Sequence, residues 1–298
     1  MESVSFSGVR NDQKTKKPRS VGGSIAAVTA GSVISSAATM ANSLTVTKGM
    51  QKIGQLPNDT IELLHNCAEK ALDISGMKAK GVKIEYVKES AKKLSPLQLL
   101  KASPNTQIAN GVNAGFVPEI KTVLGNLGNK ILMPEKGISF ASFHEIGHSI
   151  NYHNSSFWRT MQKLRNPGMA LAALPLLYGA FSRQSVAKDG KELTKGQKVN
   201  NFIRNNAGKL SFAAMLPMLA EEAMATIRGQ KLANVLLDKN LAKTVLKGNS
   251  VAYLSYLGAA VATGLGAFAA VKIKDHFVNK KAAKIAAQNQ QSTAQKAA

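Results

Sequence analysis

Apolar residues occur along this chain in uncharged blocks rather than in one uniform periodic pattern. The clearest block covers residues 248–271 and contains no Asp, Glu, Lys or Arg. A helix of this length can cross the hydrocarbon layer of a bilayer, which is about 30 Å thick. Gly258, Ala262 and Gly266 recur at every fourth position, a spacing typical of a membrane helix that packs against another helix. We therefore predict a transmembrane helix at residues 248–271.

The other apolar blocks are weaker. Residues 20–47 are uncharged but rich in Ser, Thr and Gly, so they indicate a candidate membrane helix, a surface helix or a flexible lead-in. Two shorter blocks, at 166–182 and 210–220, predict a hydrophobic hairpin over residues 166–220 that is half-buried or re-entrant. The alternative is a pair of core helices in a soluble domain.

Between these blocks the pattern predicts a mainly helical α+β unit over residues 48–247. Alternating apolar residues predict a strand at 82–87, and a second short strand is predicted at 129–134. Helical periodicity and capping residues predict helices at 58–75, 95–102, 138–152 and 221–238. Basic tails are predicted at both ends, a flexible one at 1–19 and a frayed or disordered one within 272–298.

The formal net charge is +22, and the Lys and Arg residues are spread along the chain. Aromatic residues make up only 5% of the sequence and no nucleic-acid motif occurs, so nucleic acid is not the expected partner. We expect attraction to anionic lipid headgroups, with a solvated basic face as the alternative. The positive-inside rule predicts both termini in the cytoplasm. The single Cys67 excludes an intramolecular disulfide, and residues 1–23 do not have the pattern of a signal peptide.

The residues that bear on chemistry are His144-Glu145-Ile146-Gly147-His148. Two histidines four positions apart project from one face of a helix, where both can bind one ion, and Glu145 then stands beside the water on that ion. The alternative is that the histidines line a buried helix and bond to backbone carbonyls. The motif predicts one Zn²⁺ per chain, bound by His144 and His148, with Glu145 as general base.

A catalytic zinc ion needs a third protein ligand. His153 is not suited, because it lies about 180° and 140° around the helix from the two histidines. Glu222 is the better candidate, since the same helix face carries the small residues Ala225, Thr226 and Gly229 and can approach the zinc helix. Its neighbour Glu221 is expected beside the site, and the choice between the two carboxylates stays open. Alternatively, both carboxylates only stabilise a helix N-terminus.

Together, the H-E-I-G-H motif and the later Glu222-x-x-Ala225-Thr226-x-Arg228 resemble the gluzincin metallopeptidases, especially their membrane-embedded neutral zinc branch. Residues 113–116 (Asn-Ala-Gly-Phe) are similar to the family's edge strand. The resemblance covers about residues 80 to 235 and implies a zincin-like metallopeptidase core within residues 48–247. It also implies that Asn113 and Ala114 bind the backbone of a peptide substrate. Thr226 departs from the family pattern, because many relatives carry an Asp there that orients a metal-binding histidine.

The sequence therefore leads us to expect a membrane-associated zinc endopeptidase that acts on a peptide or protein. Tyr152 lies one turn after His148 and is a candidate oxyanion donor, with a core tyrosine as the alternative. Two other hypotheses remain. One is a non-enzymatic basic integral membrane protein with a scaffold or lipid-binding role, and the other is a soluble metallopeptidase whose apolar blocks form its core.

Overall fold

The computed structural model describes residues 20–91, 93–122, 125–187 and 191–297, so the predicted tail at 1–19 lies outside the described residues. The protein is mostly helical with a small sheet, which confirms the predicted mainly helical α+β class. The helices are α1 Val21–Ile53, α2 Asn58–Ile74, α3 Pro96–Lys101, α4 Pro104–Ala109, α5 Ser142–Asn154, α6 Ser156–Lys163, α7 Arg165–Phe181, α8 Lys195–Asn205, α9 Ala207–Ala214, α10 Leu216–Leu236 and α11 Lys239–Ala297. The strands are β1 Lys83–Val87, β2 Gly115–Val117, β3 Ile120–Thr122, β4 Gly125–Leu127 and β5 Lys130–Pro134.

A three-stranded sheet with the order β1-β5-β2 lies beside α5. Strand β1 pairs with β5 in parallel, and β2 pairs with β5 antiparallel, with Phe116 opposite Ile131. β2 is therefore an edge strand, and it contacts α5. Ile131 and Met133 point from the central strand into the core. They pack there with side chains from α2, α5 and the segment between β5 and α5, namely Leu64, Ala68, Leu72, Phe140, Phe143 and Ile146.

Helices α5 and α10 pack with their backbones in contact. A Cβ atom on Gly147 would lie 2.1 Å from the carbonyl oxygen of Ala225, and one on Gly229 would lie 2.3 Å from the carbonyl oxygen of Phe143. The predicted close approach of the two helices through small residues is thus confirmed. α10 begins five residues before Glu221. Because dipole effects are confined to the first turn, the carboxylates do not serve mainly to stabilise a helix N-terminus.

Helices α1 and α11 run antiparallel against each other. Gly258 packs on the side chain of Asn42, and Gly266 packs on the backbone of Gly31, so the predicted small-residue face does contact another long apolar helix. Within the described residues, two helices are long and apolar enough to cross a membrane, and these are α1 and α11. Helices α9 and α10 pass the same test only when they are counted together across a bend of 41°.

The region predicted as a hydrophobic hairpin contains α7, a connecting segment, α8 and α9. α7 packs against α9, α11 and α1, so these helices form one bundle. The outward faces of α7 and α11 expose large apolar side chains, among them Leu171, Leu174, Phe181, Val261, Leu265 and Phe268. Clusters of exposed apolar side chains commonly mark contacts with a partner or a membrane. The block at 20–47, for which a helix was one of the alternatives, is helical and extends to Ile53. The predicted span at 248–271 is the inner part of a longer helix, since α11 begins at Lys239 and continues to Ala297.

Candidate metal centre

The two histidines of the H-E-x-x-H motif lie on successive turns of α5. Their side chains face α10, and the residues are only 7% and 4% exposed for His144 and His148. The Nε2 atoms of the two rings lie 3.0 Å apart. Helical spacing alone brings the rings together, as expected for residues i and i+4.

Glu222 of α10 completes a triangle with these nitrogens. Its Oε2 atom lies 3.1 Å from Nε2 of His144 and 3.5 Å from Nε2 of His148. Zinc binds nitrogen and carboxylate ligands at about 2.0–2.1 Å in a tetrahedron, which places neighbouring ligand atoms about 3.3–3.4 Å apart. The three sides of the triangle, 3.0, 3.1 and 3.5 Å, are close to this spacing, so His144, His148 and Glu222 could hold a metal ion together.

The outer nitrogens of both rings have oxygen partners. Nδ1 of His148 lies 2.8 Å from Oε1 of Glu221, and Nδ1 of His144 lies 3.1 Å from Oγ1 of Thr226. An Nδ1–H that donates to these oxygens leaves each Nε2 lone pair directed at the centre of the triangle. Asn151 in turn donates to Glu221 at 2.9 Å and fixes that carboxylate. Because Glu221 is bound to the outer nitrogen, the geometry favours Glu222 as the third ligand.

Arg165 binds both carboxylates and was not found from the sequence. Its guanidinium donates to Oε1 of Glu222, and its Nη1 lies 3.4 Å from Oε2 of Glu221. Both carboxylate side chains are fully buried, so a cation beside them offsets the cost of removing two charges from water. The bond to Oε1 also holds Glu222 so that only Oε2 faces the histidines. The only indication of Arg165 in the sequence is that it is a charged residue just before the apolar block at 166–182.

The electrostatics of the pocket favour positive charge. Burial by itself lowers the pKa of His148, but the carboxylates of Glu221 and Glu222 raise that pKa well above its ordinary value. The same carboxylates attract a bound cation for the same reason.

Glu145 lies close enough to the two histidines to share an ion with them. Its Oε2 atom accepts a hydrogen bond of 2.7 Å from the backbone N–H of Phe116 in the edge strand β2. The bond orients the carboxylate beside the histidines and ties it to the edge strand.

A cavity of about 230 Å³ opens at His144 and Glu145. Asn113 and Ala114 line it, but they lie in the irregular segment just before β2 rather than in the strand. The Oδ1 atom of Asn113 accepts a hydrogen bond of 3.0 Å from the backbone N–H of Ala114 in this segment. The other walls come from α1 and from α11, which contributes Asn249, Ala252, Ser255 and Tyr256.

Two further residues singled out in the sequence lie away from the cavity. His153 places its Nε2 atom 2.8 Å from Oδ1 of Asn129, in agreement with its exclusion as a ligand. Tyr152 packs edge-on against Phe116 and under the guanidinium of Arg159, and it does not line the cavity. Tyr256 does line the cavity, and the guanidinium carbon of Arg165 lies 5.7 Å from the centre of its ring.

No protein-family model matches this chain, and no curated protein or solved structure is significantly similar to it. The resemblance to gluzincins therefore rests on the sequence motifs and stays a prediction.

Proposed function

We propose that this protein is a membrane-associated zinc-dependent endopeptidase that hydrolyses peptide bonds. The observation that carries the proposal is the triangle formed by two histidine nitrogens and one carboxylate oxygen, beside a second carboxylate in an open cavity. His144, His148 and Glu222 would hold the ion. The chemistry that a bound Zn²⁺ supplies is a water with a pKa of about 7 and a polarised substrate carbonyl.

The remaining steps belong to side chains of this chain. Glu145 accepts a proton from the attacking water and passes it to the leaving amine, so one water is consumed for each peptide bond broken. Tyr256 takes the role that the sequence suggested for Tyr152, because its side chain lines the same cavity as Glu145 and can donate to the developing oxyanion. Asn113, Ala114 and the edge strand β2 are suited to bind the substrate backbone by adding it to the sheet.

The membrane part of the proposal is supported by α1 and α11. Both helices have the length and composition of membrane spans, and both contribute walls to the cavity at the metal centre. Lys280 and Lys284 are exposed on the distal part of α11, where they can approach anionic headgroups. A peptidase anchored in this way acts on peptides at the membrane surface or within it.

The first test is the zinc content of the full chain, purified in detergent without chelators and measured by elemental mass spectrometry. We expect about one zinc per chain in the wild type, little in His148→Ala and Glu222→Ala, and full content in His153→Ala, which serves as the matched control. Glu145→Gln should keep its zinc and lose hydrolysis of a general protein substrate such as casein.

Absence of zinc from the wild-type protein would contradict the proposal. It would favour the non-enzymatic alternative, a basic integral membrane protein in which Arg165 and His148 simply compensate the buried carboxylates. Recovery of the protein in the supernatant after membranes are pelleted would instead favour a soluble metallopeptidase.

A further inference from the structure

Asn249 is a buried polar residue without a visible role in the fold. It lies in α11 and is only 1% exposed. Its amide nitrogen has no hydrogen-bond partner among the residues that the structure describes. Buried amides in folded proteins nearly always have partners, so this one calls for an explanation.

The side chain lies in the wall of the cavity at the metal centre. Asn249 lines that cavity together with Glu145, the proposed base, and with Asn113 and Ala114 beside the edge strand. A partner that enters the cavity therefore lies against the side chains of Asn249 and Glu145 at the same time.

The position of Asn249 is fixed by the packing of its neighbours. A Cβ atom on Gly248 would lie 2.2 Å from the ring of Phe140, so α11 packs directly on the segment that leads into the zinc helix. Phe140 and Val245 are fully buried in the same cluster. The amide is thus held at a set place relative to His144 and Glu145, as a preorganised binding group must be.

We infer that Asn249 binds the backbone of the peptide substrate, on the wall formed by α11. This inference rests on the proposed peptidase function. A side-chain amide has donor hydrogens and an acceptor oxygen, so it can pair with the C=O and N–H of a peptide bond whichever way the amide is turned. The sheet edge and Asn249 then both contact the substrate. A ligand without peptide bonds makes no contact with Asn249.

The test compares two zinc-binding probes on the detergent-purified, zinc-loaded full chain. Acetohydroxamic acid binds zinc but carries no peptide backbone, whereas a fluorescent tripeptide hydroxamate carries both groups. We expect Asn249→Leu to weaken binding of the tripeptide hydroxamate roughly tenfold, because a hydrogen bond to a buried partner is lost. Binding of acetohydroxamic acid should be unchanged. Asn240→Leu, at an exposed asparagine of the same helix, is the matched control and should bind both probes like the wild type.

Thermal unfolding gives a second readout, because a binding role and a structural role of Asn249 predict opposite changes in Tm. Removing an unpaired buried amide should leave the Tm of Asn249→Leu equal to or above that of the wild type. Asn249→Asp, which keeps the size but loses the donor, should weaken the tripeptide hydroxamate in the same way.

Equal affinity of the wild type and both Asn249 variants for the tripeptide hydroxamate would overturn the inference and leave the peptidase proposal standing. A lowered Tm with unchanged probe binding would assign Asn249 to the fold and overturn the inference as well. A wild type that holds no zinc, or that binds neither probe, would overturn the peptidase proposal and this inference with it.

Discussion

Gly147 offers the sharpest test of the site's geometry, because it lies between the two candidate ligand histidines and against the helix that carries Glu222. In Gly147→Ala the new Cβ would meet the carbonyl oxygen of Ala225 at 2.1 Å. An ordinary carbon–oxygen contact is more than 3 Å, so α5 and α10 must separate by about 1 Å. Overpacking of this kind costs about 1–3 kcal/mol.

This displacement should reduce zinc binding more than it reduces the stability of the fold. Ligand distances in zinc sites hold to within about 0.2 Å, so a shift of about 1 Å removes Glu222 from the triangle with His144 and His148. We expect Gly147→Ala to fold with a lowered Tm and to lose most of its zinc, measured by thermal unfolding and elemental mass spectrometry. Gly196→Ala is the control, because Gly196 is exposed in the first turn of α8 and a Cβ there meets nothing within 4 Å. Full zinc content and an unchanged Tm in Gly147→Ala would refute the contact between the two helices.

Three further predictions concern two residues at the site and one that binds the segment before α5. Arg165→Met removes the cation beside two buried carboxylates and should destabilise the chelator-treated protein by about 3 kcal/mol. The zinc-loaded protein should lose less stability, because the ion then compensates the carboxylates. Equal losses of stability in thermal unfolding would show that Arg165 does not have this compensating role. Thr226→Val should lower the zinc affinity about 10- to 100-fold, as measured by competition with a chelator. Thr226→Asp should bind zinc as tightly as the wild type or more tightly. Unchanged affinity in the valine variant would mean that the hydroxyl does not orient His144. Burial alone raises the pKa of Glu89, but hydrogen bonds from Lys93 and from the backbone N–H of Gly137 lower it overall. The contribution of Glu89 to stability should therefore be complete above the ordinary pKa of a glutamate and lost as the pH falls through the lower pKa of the folded state. The free energy of unfolding of Glu89→Gln, measured from pH 7 down to pH 3, should lack this loss. Identical pH profiles for the variant and the wild type would contradict the prediction.

The parts of the site that could be predicted are those fixed by short spacings. His144 and His148 share a face because a helix repeats every 3.6 residues, and Glu222 was selected over Glu221 by the small residues one and two turns beyond it. The strand that precedes the zinc helix, β5, was predicted within one residue of its observed start. In each case the relevant interaction is local or is made through a helix face that the sequence itself defines. The zincin-like core and the substrate-binding role of Asn113 and Ala114 stay predictions.

Other parts depend on contacts between residues far apart in the chain. Arg165 lies 56 residues before Glu221, and nothing in the sequence near either residue specifies that they meet. Tyr256 and Asn249 were hidden for a different reason, because both lie in an uncharged block whose hydropathy predicted only a membrane span. A polar side chain inside such a block carries a cost unless it has a partner, and that cost was the signal available for Asn249.

The position of these polar residues changes the role of α11 from an anchor to a part of the site. Gly248 packs on Phe140 just before the zinc helix, and Tyr256 stacks near the arginine that holds Glu222. Any movement of α11 relative to α5 would therefore alter the cavity wall and the support of the third ligand together. Because α11 is both a candidate membrane span and a wall of the cavity at His144 and Glu145, the apolar blocks and the H-E-x-x-H motif of this chain belong to one structural unit.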